Sequence, residues 1–305
     1  MSPTIPFNRT LAFEYGRTDT VSPLIRRVIA RNPGPFTFTG TGVYIVGHGE
    51  VAVIDPGPAL AEHRAALDHA LAGERVSHVF VTHHHLDHSP LAGPLAAAHG
   101  AQVYSYGVQI RTPNGGEVRM EAGDDLGFRP DVEIADGDVF EGAGLTIEAI
   151  HTPGHTSNHM CFALHEENAL FSGDHIMGWS TSVISPPDGD MGDYLASLER
   201  VRARDFATLW PTHGAPITEP GPFVDAYIAH RRAREAQIRD QLARGQTQIK
   251  AIVPELYSAV DPKLWPAACH SVLAHMIHMV KTGRVTCDSE PGLDTAFRLA
   301  EPIES

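Results

Sequence analysis

Four side chains able to hold a metal, His83, His85, Asp87 and His88, fall within the segment Thr82-His83-His84-His85-Leu86-Asp87-His88-Ser89-Pro90. Imidazoles and carboxylates are ligands that zinc, iron and manganese accept. Few structural needs would crowd them into one short turn. His83 and His85 are two positions apart, so in an extended segment they project the same way and can grip one ion. Asp87 and His88 lie beyond a turn and can reach a second. Their neighbour His84 alternates with them and is expected to point away.

A hydrolytic metal pair needs donors around two cations about 3.5–4 Å apart. Three more candidates, His155, Asp174 and His213, stand at the ends of stretches that read as strands. A carboxylate can bridge two cations, and Asp174 suits that role. His159 and His175 are open between supporting a ligand, facing a substrate and simple packing. His151 reads as structural, and Cys161 as a small buried residue.

The elements that must position these residues alternate. Phe36–Thr39, Val43–Val46 and Val51–Asp55 read as strands, rich in β-branched and aromatic residues and broken by glycine. A helix follows over Leu60–Leu71, then a strand over Val76–Val81 leading into the histidine cluster. Ser89 and Pro90 are expected to open the next helix, and Gly100 to stop it. Ala101–Tyr106 reads as a strand, and 107–132 as a long loop or insertion. Leu145–His151 is a strand, and Met160–Leu164 with Ala169–Ser172 a hairpin. Asp190 caps a helix that buries Tyr194, Leu195, Leu198 and Val201, and Thr208–Pro211 is a short strand. This alternation predicts an α/β layered catalytic domain over 1–218. A helical domain over 219–305 follows, with helices near 223–243, 248–258 and 264–282. A hairpin around Pro291-Gly292 would complete something like a winged helix.

Composition narrows the function. The chain has 305 residues, 42% hydrophobic and 20% charged, as in an ordinary globular protein. No apolar run approaches the length of a membrane span, and no signal peptide is evident near the start. Three widely spaced cysteines, Cys161, Cys269 and Cys287, argue against a disulfide framework and for a reducing, cytoplasmic setting. The net charge of −14 disfavours loose binding to nucleic acid.

Four motifs, in order, resemble those of the metallo-β-lactamase superfamily. They are Thr82-His83-His84-His85-Leu86-Asp87-His88, His151-Thr152-Pro153-Gly154-His155-Thr156, Ser172-Gly173-Asp174 and Thr212-His213-Gly214. The resemblance implies a four-layer αβ/βα sandwich and two divalent metal ions, zinc first, with iron or manganese as alternatives. It implies that His83, His85 and His155 hold one ion, that Asp87, His88 and His213 hold the other, and that Asp174 lies between. Asp55 would orient a histidine from behind. The nucleophile would be a hydroxide between the metals, oriented or deprotonated by Asp87, the expected catalytic residue.

Asp174 argues against lactam hydrolysis as the main activity. The glyoxalase II enzymes resemble this chain in the metal motifs, but their Gly-Gly-Cys-type segment is absent. Asp87-His88-Ser89 departs from the common DHxGG continuation. Tyr227-Ile228-Ala229-His230-Arg231-Arg232-Ala233-Arg234-Glu235-Ala236-Gln237-Ile238 resembles the helix that opens the winged-helix extension of the lactamase-β-like hydrolases. That group contains a single-strand endoribonuclease and polyketide thioesterases. The third C-terminal helix is apolar, with Val272, Leu273, Met276, Ile277, Met279 and Val280, so packing is expected rather than groove binding. Arg231, Arg232 and Arg234 read first as a solvated helix face. The expected function is hydrolysis of a small-molecule ester or thioester. Endoribonuclease action is the runner-up, with RNA as partner, and a non-enzymatic DNA-binding regulator is the reading from another class. A second copy of the chain is the other partner left open, since the C-terminal part could serve packing, dimerisation or the substrate pocket.

Overall fold

The computed structural model describes residues 4–107, 123–142 and 144–301. Most of the loop expected at 107–132 lies outside the described residues. Two mixed sheets form the centre. The first holds β1 (Thr18–Thr20), β2 (Ile25–Ile29), β3 (Gly42–His48), β4 (Glu50–Ile54), β5 (Arg75–Phe80), β6 (Gln102–Ser105) and β7 (Val132–Glu133), in that order. The second holds β8 (Val139–Gly142), β9 (Leu145–His151), β10 (Met160–Leu164), β11 (Ala169–Gly173) and β12 (Thr208–Pro211), ordered β12-β11-β10-β9-β8.

Strand alternation builds the layers. Along β3, Tyr44 and Val46 face the second sheet and pack with Ile147, Phe162, Phe171 and Trp210. Val43 and Ile45 face the other way, against α1 (Ala61–Ala70) and α2 (Ala92–His99), where Leu67, Leu91 and Leu95 meet them. The outer face of the second sheet, including Ile150, Ala163 and Leu170, packs on Tyr194, Leu198 and Val201 of α3 (Met191–Arg202). Both sheets are thus apolar on both faces, which is why β10 and β11 read as nearly continuous apolar runs. The result is a metallo-β-lactamase-type αβ/βα sandwich.

Past β12 comes α4 (Pro220–Ala243), then α5 (Ile249–Leu256), α6 (Trp265–Lys281) and the hairpin β13 (Val285–Cys287) and β14 (Phe297–Leu299). Val272, Leu273, Met276 and Met279 are buried with Ile252, Val285 and Phe297, so the apolar third helix is core. The first half of α4 packs on the sandwich through Phe223, Val224, Tyr227 and Ile228. Its second half joins the C-terminal core through Ile238 and Leu242. No helix among the described residues is long and apolar enough to cross a membrane.

Several expectations need correcting. Phe36–Thr39 is a turn, closed by a bridge between Gly34 and Phe38, and Phe38 has φ 55°. Its alternating pattern serves side-chain contacts, with Phe38 stacked on Trp179 at 4.9 Å. The strand pairs actually involve β1 and β2, which the pattern reading left unassigned. Ser89 does not cap α2, which starts at Ala92. Its hydroxyl instead donates to His85 O and Asp125 Oδ2, at 3.2 and 3.0 Å. Gly100 stops α2 as expected, in the left-handed region. Asp190 caps α3 as expected, accepting from Gly192 N and Asp193 N.

Candidate metal centre

Strand direction brings the motifs together. β4 and β5 run parallel, as do β11 and β12. β9 runs antiparallel to β10, and β10 antiparallel to β11, so β9 and β11 also share a direction. The C-terminal ends of β4 and β5 therefore lie at one edge of the sandwich, and those of β9, β11 and β12 at the edge facing it. Open α/β sheets commonly place ligands beyond such strand ends.

All seven expected residues meet there, and all are buried. Three groups of donor atoms lie within 4.8 Å of one another: His83, His85 and His155; His83, His88 and Asp174; Asp87, His88 and His213. Asp174 stands between the two sides. Its Oδ2 is 3.6 Å from His88 Nε2 and 3.9 Å from His155 Nε2, and its Oδ1 is 3.4 Å from His213 Nε2.

Backbone and side-chain partners orient each ring. His155 Nδ1 donates to Val183 O at 2.8 Å, and His213 Nδ1 donates to Gly40 O at 3.2 Å. Asp55 accepts from His88 Nδ1 at 2.9 Å, from Thr82 N and Thr82 Oγ1 at 2.8 Å each, and from Thr212 Oγ1 at 3.2 Å. With the outer nitrogens so engaged, the Nε2 atoms of His88, His155 and His213 turn inward, the arrangement that metal-binding histidines adopt. His85 joins through Nδ1, 2.8 Å from His83 Nε2 and 3.3 Å from His155 Nε2.

Electrostatics tests the fit to a cation. Burial alone would lower the proton affinity of His88 and His213. Asp87, Asp174 and Asp55 outweigh it at His88, and Asp174 and Asp87 at His213, which is pushed up to about 10. Burial would raise Asp87 and Asp174, but the two imidazoliums hold both carboxyls well below their usual range. The carboxylates thus draw positive charge into the site. Buried His88 Nε2 and Asp174 Oδ1 have no hydrogen-bond partner. An inward-facing buried nitrogen and carboxylate oxygen left open in this way fit a metal donor set.

Sequence reading left other residues undecided or unseen. Asp174 N donates to His159 Nε2 at 3.1 Å, and His159 Nδ1 lies 2.9 Å from Thr152 Oγ1. Burial first, then neighbouring His155 and His175, keeps His159 neutral, so this ring fixes the Asp174 backbone. Gly173 has φ 52°, and a Cβ there would lie 2.6 Å from His159 Nε2. His84 faces Asn158 Oδ1 at 3.0 Å, and Thr41 donates to Asp87 Oδ2 at 3.4 Å. Neither Asn158 nor Thr41 carries a signal in sequence, because single amides and hydroxyls are too common to stand out.

The expected solvated arginine face is only partly so. Arg232 is exposed, but Arg231 is buried at 3% exposure and Arg234 is half-buried. Arg231 Nη2 donates to Ser182 O, and its guanidinium lies over the Tyr194 ring. Tyr227, a helical turn away, hydrogen-bonds through its hydroxyl with Met177 and Ser180.

The fold and this cluster define a metallo-beta-lactamase superfamily hydrolase, and the chain belongs to that family, whose model matches residues 37–213. A beta-lactamase associated winged helix domain matches residues 249–292. Among curated relatives, an atrochrysone carboxyl ACP thioesterase, AgnL7, from Paecilomyces divaricatus is 34% identical over 96% of this chain and 93% of its own length. The lactamase-like protein ptaB from Pestalotiopsis fici is 28% identical over 92% of this chain and 88% of its own. A beta-lactamase domain protein from Burkholderia ambifaria shares the fold, with a TM-score of 0.76 at 20% identity and 97% of both chains covered.

Proposed function

We propose that the protein hydrolyses a small-molecule thioester, or a related ester, with two divalent cations, zinc in the first instance. His83, His85 and His155 hold one ion. Asp87, His88 and His213 hold the other, and Asp174 lies between them. Full-length similarity to a thioesterase carries the reading. The acidic chain supports it over RNA as substrate. Such a metal pair supplies a Lewis acid for the carbonyl and a water acidified toward neutral pH.

The protein's own groups complete the chemistry. Water adds to the thioester carbonyl carbon, the C–S bond breaks, and the thiol leaves. Asp87, held by Thr41 and 3.1 Å from His213 Nε2, orients the attacking water, whose proton passes to the departing thiolate as the C–S bond breaks. Asp55 positions His88, and His159 positions Asp174.

The division is placed at residues 218 and 219, with a catalytic part before and a winged-helix-like part after. A cytoplasmic setting is favoured by three free cysteines. Burial pushes the Cys161 thiol up to about 12, which makes it inert. The test assays purified protein on a panel of acyl thioesters and a single-stranded RNA, with metal content measured alongside. Thioester cleavage that falls with metal content in His85→Ala and Asp174→Ala is expected. Metal-dependent RNA cleavage with intact thioesters would overturn the reading in favour of a nuclease.

A further inference from the structure

Several of the proposed ligand rings are braced from behind. Asp55 braces His88. The segment 177–183 braces two others, with Val183 O accepting from His155 Nδ1 and Gly178 N donating to His213 O at 3.2 Å. His88, His155 and His213 turn Nε2 inward, but His85 is turned the other way. Its Nδ1 faces His83 and His155, so its outer nitrogen is Nε2. Which imidazole nitrogen takes a metal is set by the bond that the other one makes. The group facing His85 Nε2 therefore bears on the ion that His85 would hold.

Asp124 Oδ1 lies 3.5 Å from His85 Nε2 and 3.6 Å from His84 Nε2. Asp124 belongs to none of the four motifs. It lies beyond β6, in the stretch that leads to β7, and this stretch is docked on the histidine turn. His85 and Asp124 form an antiparallel bridge. Leu86 N donates to Gly123 O at 2.9 Å, and Asp125 N donates to His84 O at 2.7 Å. Asp125 also accepts from Ser89 Oγ at 3.0 Å and from Gly127 N at 3.1 Å. Phe128 anchors the stretch in the core that holds Leu91 and Leu95. The backbone on both sides of Asp124 is thus fixed, which aims its carboxylate at the two rings.

We propose that Asp124 is a positioning residue for His85. Its carboxylate pairs with the Nε2–H of His85 and holds the ring in the tautomer that offers Nδ1 to the ion shared with His83 and His155. Those three imidazoles bring no negative charge to that ion, and a carboxylate behind one of them raises the basicity of its donor nitrogen. The role presupposes the metal pair proposed above. It adds to the cluster a residue from outside the motifs, on the stretch that follows the long loop expected after β6.

The test loads the full-length protein with zinc and reads the affinity of each ion by chelator competition, with cobalt absorption bands to tell the two ions apart. Wild-type protein should bind both ions; binding of none would overturn the metal reading and this role with it. Asp124→Ala should weaken the ion beside His83 about tenfold, the low end of the range for such partners, because Asp124 is 46% exposed. It should also shift that ion's cobalt bands, leave the ion beside His88 at its wild-type affinity and keep the melting curve of the metal-free protein. Asp124→Asn retains an acceptor and should recover part of the loss. Asp125→Ala unties the same stretch from Ser89 without removing the carboxylate, and should leave both affinities unchanged. Two bound ions in wild type with unchanged affinity and bands in Asp124→Ala would overturn the role and leave the metal reading standing. Equal weakening of both ions would overturn the assignment to His85. A loss in Asp125→Ala as large as in Asp124→Ala would also overturn it, by making the docking of the stretch, and not the carboxylate, the source of the effect.

Discussion

His83 and His155 are held below the usual proton affinity of an imidazole, whereas His88 and His213, a few ångströms away, are held above it. All four are fully buried, so burial lowers each. The difference lies in the carboxylates. His88 and His213 face Asp87 and Asp174 at 3.1–3.6 Å. His83 is surrounded by other imidazoles, whose mutual repulsion adds to burial. At His155 the nearest Asp174 oxygen is 3.9 Å away, and its pull does not offset burial. One cluster thus contains an imidazole half with lowered proton affinity and a carboxylate half with raised affinity for positive charge. In such a site, carboxylate placement decides how each histidine behaves.

The hardest blow to that contrast is Asp174→Ala, which removes a carboxylate that touches both halves. Turnover should fall beyond the roughly 10–100-fold expected for loss of a supporting partner. At least one metal per chain should be lost. Metal analysis and single-turnover rates check this, and retained stoichiometry with a near-normal rate would refute the proposed ligand set. Chelation should likewise abolish turnover and lower the melting temperature, and zinc should restore both.

Asp55→Asn is the next largest test, because it acts only through His88, Thr82 and Thr212. Metal affinity should weaken about 10–100-fold with the fold retained. The loss should fall on the ion beside His88 and spare the one beside His83. Cobalt substitution, with its absorption bands followed ion by ion, reads the difference.

A buried histidine outside the cluster sharpens the comparison further. Burial holds His275 down at about 4, although Glu235 lies 3.7 Å away. Its folded value is below the ordinary 6.5, so between those values the unfolded chain binds more protons. Stability is therefore full above about pH 6.5 and declines as pH falls toward 4, by roughly 3 kcal/mol from this residue. Denaturation curves across that window should show the slope, and His275→Leu should flatten it. The smallest effect is expected at Arg232→Ala, which breaks only an exposed pair with Glu199, worth less than about 1 kcal/mol.

What was legible in the sequence follows from the same physics. The seven donors stood out because histidine and aspartate are rare in such density, and each follows a run whose apolar pattern marks a strand end. The sandwich was legible because central strands buried on both faces give unbroken apolar runs. β1 and β8 were not, since edge strands carry few buried residues and look like polar loop. Phe36–Thr39 misled because alternation marks any segment with two unlike sides, and here a left-handed Phe38 closes a turn. Arg231 misled for the opposite reason. Helical spacing places it beside exposed Arg232, and only the fold shows that segment 177–183 covers it.

α4 anchors both cores, with Tyr227 in one and Ile238 in the other, and its 24 residues span about 36 Å. The winged-helix-like part is therefore not an exchangeable cassette. Grafting a foreign one at residue 219 would replace Tyr227 and Arg231 and release the segment that braces His155 and His213. For this chain, the two parts can change over evolutionary time only in step, because a shared beam ties the C-terminal core to the upkeep of the histidine cluster.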